Sequence, residues 1–105
     1  MLINYIRTPK HYEPRLQTLA DGSVRAYVVE LGGDPIGMVV STERGKVGWS
    51  LCSKHDTFNK VMGKKIAINR AEYYGRNQAE CLADAPDSVR QAILKMYERS
   101  EKYFQ

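Results

Sequence analysis

The sequence predicts an α+β fold: an antiparallel β-sheet of four to five strands in a meander, followed by two helices packed on one face. Two patterns predict it. Through residue 52, β-rich runs are punctuated by turn signals, Ala20-Asp21-Gly22-Ser23, Gly32-Gly33-Asp34-Pro35 and Glu43-Arg44-Gly45-Lys46, and such regular spacing is the mark of antiparallel strands. After that the apolar residues recur at helical spacing, with a break at Ala83-Asp84-Ala85-Pro86. At 105 residues the chain has room for one domain, residues 1–105.

Met1–Arg7 reads as a strand, with Ile3 and Tyr5 on one face and Leu2 and Ile6 on the other. Thr8-Pro9 ends it, because proline has no amide to donate and pushes its predecessor out of helix. Lys10–Pro14 is a polar connector and Arg15–Leu19 a short strand. Asp21-Gly22 is a hairpin signal. Val24–Leu31 is apolar on both faces in part, as in a strand in mid-sheet. Ile36–Thr42 and Val47–Cys52 form the next hairpin.

Ser53-Lys54-His55-Asp56 resembles a capping box, with Asp in place of Glu. The first helix is expected from Ser53 or Phe58 to about Ala79. Phe58, Met62, Ile66 and Tyr73, with Val61 beside them, form an apolar stripe. Gly63 interrupts the pattern at a cost of ~1 kcal/mol relative to alanine, which calls for a close approach by another backbone or a ligand, or a helix that starts after it. Asp84 can cap the second helix, Pro86–Tyr103, whose stripe is Val89, Ala92, Ile93, Met96, Tyr97 and Phe104.

The composition is that of a globular chain, 43% apolar and 27% charged. The core must be modest, so association of copies would help. A net charge of +4 suits an anionic partner and equally suits a solvated surface. The first ten residues lack the pattern of a signal peptide, and no stretch approaches a membrane span. A cytoplasmic protein with reduced cysteines is expected. Two cysteines without a C-x-x-C spacing make no zinc site, and a metal held by Cys52, His55 and Cys81 is not the favoured reading.

No catalytic signature is present: no G-x-S-x-G, Walker loop, H-E-x-x-H or glycine-rich dinucleotide fingerprint. Cys52 beside His55 could pair a nucleophile with its base, but Cys52 reads better as a small buried hydrophobe. The expectation is a binder rather than an enzyme, with no cofactor and no catalytic residue. The candidate constellation is Ser53, Phe58, Lys60, Lys64, Lys65, Asn69 and Arg70. A helix start offers amides and positive potential to an anion, the lysines add charge, and the Arg70 fork can grip two phosphate oxygens. Phe58 or Tyr73 could stack on a base. Against this, Phe58 suits a core, the lysines a solvated face, and Arg70 an ion pair with Asp56 or with Glu72 of a neighbouring chain.

The segment W-S-L-C-x3-D-x-F-x4-G-x2-I-A-x2-R-A, Trp49 through Ala71, resembles a pattern of small tailed-bacteriophage proteins and covers under a quarter of the chain. It is similar to the phage family that counters the Thoeris defence system by sequestering its signal. That resemblance implies a homo-oligomer in the host cytoplasm that binds cyclic ADP-ribose isomers without cleaving them. The resemblance makes Phe58, Asn69 and Arg70 the candidates for ligand contact, while Lys54 stands where other members often have proline. The alternatives are a nucleic-acid-binding phage accessory protein and a protein–protein inhibitor of a host enzyme.

Overall fold

A computed structural model describes the chain except Lys54 and His55. The class is α+β with all strands antiparallel: β1 (Leu2–Arg7), β2 (His11–Thr18), β3 (Val24–Leu31), β4 (Pro35–Glu43), β5 (Lys46–Leu51), then α1 (Lys60–Tyr74), α2 (Gln78–Asp84) and α3 (Asp87–Tyr103). The strands divide into two sheets. β4 lies between β1 and β5, and β2 and β3 pair only with each other.

The helices cover both faces of the three-stranded sheet rather than the single face expected. The cause is the run Met38-Val39-Val40 in β4, fully buried on alternate sides. A strand apolar on both faces needs a layer on each. Met38 and Val40 meet Ala67 and Ala71 of α1, with Ile3 and Phe58 alongside. On the other face Val39, Val47 and Trp49 meet Val89, Ile93 and Met96 of α3 and Cys81 of α2. The predicted α3 stripe is the observed one. Its C-terminal end is tied to the sheet by a Ser100 hydroxyl that receives the Ser41 hydroxyl and the Gly45 amide, both at 3.0 Å.

α1 departs furthest from its pattern. The stripe of Met62, Ile66 and Tyr73 points to solvent, and Gly63, Ala67, Ala71 and Tyr74 face inward. Small residues let the helix lie almost on the strand. A Cβ at Gly48 would fall on the carbonyl oxygen of Ala67 and the amide of Ala71. One at Gly63 would come within 2.8 Å of the Phe58 ring and 3.2 Å of Ser50 Oγ. Gly63 is therefore a glycine of close approach, crowded by two side chains rather than by the backbone or ligand expected. The helix begins later than Ser53 and ends earlier than Ala79. Asn59 is its cap, its side chain accepting from the amides of Val61 and Met62. Gly75, at φ 56°, ends it, and its amide bonds the Ala71 carbonyl.

The β2–β3 hairpin stands away from the body and gives the molecule its long axis, 64 Å against 29 and 22 Å. β2 takes in the Lys10–Pro14 stretch expected as connector from His11 on. Pro14 is tolerated there because β2 has a partner on one side only. The root of the arm is bonded on both strands. Thr8 N–H donates to Asp34 O at 2.9 Å, Gly33 N–H to Thr8 O at 3.0 Å, and Arg7 to Gly33 O at 2.9 Å. No helix among the described residues is long and apolar enough to cross a membrane.

Candidate functional site

The end of β5 and the start of α1 enclose a cleft of about 370 Å³, within the range of small-ligand sites. Its walls are Phe58, Met62 and Ile66, and its floor holds Ser50 and Gly63. The Ser50 hydroxyl is the informative group. The residue is 4% exposed, and its Oγ has no hydrogen-bond partner among the described residues. An unsatisfied buried hydroxyl costs about 1–3 kcal/mol. It stays there because β5 alternates, sending Val47 and Trp49 to α3 and Gly48 and Ser50 under α1.

Of the residues expected to bind a ligand, the structure brings Ser53 and Phe58 to this cleft. Ser53 donates to the Asp56 carboxylate at 2.7 Å, which is a local turn and not the helix cap. Phe58 is half-buried, edge-on to Tyr5 with ring centroids 6.4 Å apart, so it serves core and cleft together. Lys64, Lys65 and Asn69 are exposed on α1 outside the cleft lining, as is Tyr73, whose neighbour Tyr74 is buried. Lys60 is also outside it, but its Nζ lies 5.4 Å from the Tyr5 ring centroid, and the Arg7 guanidinium lies 5.7 Å from the same ring. Two cations thus gather one aromatic ring away from the cleft wall.

Arg70 corrects the sequence reading most clearly. Its Nη1 donates to the Trp49 carbonyl at 2.9 Å, and its guanidinium stacks 4.0 Å from the indole. Within the chain its partner is this backbone carbonyl and not Asp56. β5 is an edge strand, and Arg70 closes the outward-facing carbonyl that such an edge leaves open. The helix start is likewise occupied, since Asn59 has taken two of its amides. The only charged residue lining the cleft among the described residues is Asp56. The cleft itself therefore suits a neutral ring with hydrogen-bonding edges, and any phosphate belongs outside it.

The Cys52 thiol donates to the Asp56 carbonyl at 3.1 Å. Cys52 is half-buried at the cleft lining rather than the fully buried hydrophobe expected; His55, the base of the less favoured reading, lies outside the described residues, as does the Lys54 position of the motif. Cys52 and Cys81 are free thiols that approach opposite ends of β5, Cys81 through the Val47 carbonyl at 3.5 Å, which separates them by roughly 16 Å at the rise of a strand. They do not share a metal site. Around Cys81 lies a buried polar group with Tyr74 and Tyr97. Burial pushes the Cys81 thiol up to about 11 and raises both tyrosines.

Ser50, Asn59, Met62, Gly63 and Ile66 line the cleft without having been chosen from the sequence. Ser50 carried a signal: it is a polar residue at an inward position of a strand that after Lys46 is otherwise built from Val, Gly, Trp and Leu. Neither a scan against protein-family models nor searches of curated proteins and of solved structures finds a match.

Proposed function

We propose that the cleft between β5 and α1 holds a small nucleotide-like molecule and releases it unchanged. The observation that carries this is the buried, unpartnered Ser50 hydroxyl at the floor of an apolar cleft. A ligand that supplies the missing hydrogen bond removes a standing cost of the free protein. A base would lie between Phe58, Met62 and Ile66, with its polar edge toward Ser50. Its phosphates would extend toward Lys60 and Arg7, which converge over Tyr5. A cyclic ADP-ribose isomer, sequestered as an anti-defence measure in a phage-infected cell, is the specific ligand this reading takes from the sequence resemblance. Nucleic acid is the weaker alternative. The projecting hairpin with its root, residues 8–34, carries three Lys or Arg against four Asp or Glu, the wrong balance for a ribbon that reads a phosphate backbone.

The test is calorimetric titration with cyclic ADP-ribose isomers, beside mass spectrometry of small molecules released when the purified protein is heated. Stoichiometric binding with the ligand recovered intact is expected. Ser50→Ala should weaken binding about tenfold, the worth of one hydrogen bond, while leaving the free protein as stable as before or more so. No bound nucleotide in either measurement, or a cleaved one, overturns the proposal.

A further inference from the structure

The three-stranded sheet has two edges, and the chain treats them differently. The Cys52 amide donates to the Ile36 carbonyl at 2.7 Å, which sets the phase of the ladder. Met38 and Val40 turn their backbone groups toward β5, and Gly37, Val39 and Ser41 turn theirs toward β1. At the β5 edge the outward carbonyl of Trp49 is closed by Arg70. At the β1 edge the register leaves the amides and carbonyls of Ile3 and Tyr5 facing outward. No hydrogen bond among the described residues reaches them. An open edge of this kind is a template for another strand.

Beside that edge runs a groove of about 500 Å³ between β1 and one side of α3, where Ser88, Gln91 and Lys95 recur at helical spacing. Arg7 and Lys95 are its charged lining residues among those described. A turn beyond Lys95, Arg99 bonds the Asn4 side chain. Arg44, Arg76 and Arg90 are each held by a carboxylate. Among the described residues Arg7, Lys95 and Arg99 are not.

We propose that an extended segment of another protein, alternating acidic and apolar residues, adds to β1 as a fourth strand of this sheet. Main-chain bonds to Ile3 and Tyr5 would hold it, and the two sides of the edge would choose its side chains. Residues on the α3 side meet Ser88, Gln91 and Lys95, where carboxylates are favoured. Residues on the other side lie next to Ile3 and Tyr5, which pack toward α1 and Phe58, where apolar groups are favoured. The six residues of β1 span about 20 Å, so a segment of about six residues fills the edge. The chain's own arm does not fit this pattern, since β2 carries Glu13 and β3 carries Glu30 as their single acids. The inference does not rest on what the cleft binds.

The experiment is a fluorescence-anisotropy titration of the full chain with a labelled octapeptide of alternating Glu and Val. Saturable one-to-one binding is expected. The same peptide N-methylated at every amide keeps its charge and loses its donors, and should bind about tenfold more weakly or worse. An alternating Lys and Val peptide should lose at least as much, and so should the Glu and Val peptide on Lys95→Glu, an exposed position whose fold circular dichroism checks. No saturable binding overturns the proposal. Equal binding of the methylated peptide also overturns it, because charge alone would then hold the peptide. So does a Lys95→Glu variant that binds as the wild type does, or a dimer in sedimentation that the peptide does not enter, which would give the edge to a second copy.

Discussion

The body and the arm are built from similar residues and treat them in opposite ways. β4 offers Met38, Val39 and Val40 to two layers of helix and loses them all from solvent. β3 offers Val24, Val28 and Val29 and covers none of them fully. The difference lies not in the strands but in the helices laid over them: α1 and α3 close over β1, β4 and β5, and no helix of the same chain forms a layer on β2 or β3. Hydrophobic stabilisation belongs to the layer arrangement and not to the strand that carries the residue.

Truncation should expose that contrast at its widest. Ile93→Ala, at the centre of the α3 packing and fully buried, is expected to cost about 2–5 kcal/mol in denaturant unfolding. Leu16→Ala on the arm, measured at a concentration where the protein is monomeric, should change stability by less than about 0.5 kcal/mol. A large effect at Leu16 in the monomer would mean that the arm packs on its own body. Glycine gives a narrower version of the comparison. Gly48→Ala drives a Cβ into the α1 backbone and should cost about 3 kcal/mol, the upper range for overpacking. Gly22→Ala has open space around it and a φ of 86°, so its cost is the left-handed backbone alone, about 1 kcal/mol. Equal losses in thermal melts would deny that the backbones of α1 and β5 are in contact.

The same contrast separates what could be read in the sequence from what could not. The strand runs, the turns and the α3 stripe were legible because each is a local pattern. β3 matched its expected bounds residue for residue, yet its apolar content suggested mid-sheet, since a bare apolar strand and a covered one have the same sequence. α1 misled for the converse reason. Its large apolar residues, Met62, Ile66 and Tyr73, mark the outward face, and the core face is written in Gly63, Ala67 and Ala71, which carry no hydrophobic signal of their own. Phe58 and Ser53 reached the cleft because the motif is local to it. Arg70 did not, because its partner is a backbone carbonyl on β5, and a carbonyl leaves no trace in a sequence.

Arg70 gives the next measurable effect. Arg70→Ala removes a charge-assisted hydrogen bond and a cation–π contact, together about 2 kcal/mol, and uncovers the β5 edge. The expected result is a lower unfolding midpoint with ligand affinity changed little when measured on folded protein. Arg70→Lys should recover part of the stability at most, since an ammonium cannot both stack on Trp49 and reach its carbonyl as a planar fork does. Full loss of ligand binding with unchanged stability would return Arg70 to the ligand site.

The smallest effect concerns the buried polar group behind β5. The Cys81 thiol has its pKa raised by burial from 9.0 to about 11, with Asp84 adding in the same direction. Raised in the folded state, the neutral thiol contributes stability that is fully present below pH 9 and is lost as pH climbs through 11. Tyr74 and Tyr97, also raised by burial, act in the same direction. Discounted for solvent screening, the Cys81 share is on the order of 1 kcal/mol. Denaturant midpoints recorded at pH 8, 9.5 and 11 should fall across that series, and the fall should be shallower in Cys81→Ala. An identical slope in the variant would place the alkaline sensitivity on the tyrosines, and a midpoint that does not move would mean that the thiol reaches water freely. The exposed arm has no such buried group, so a variant that unfolds only its hairpin should leave the alkaline slope intact.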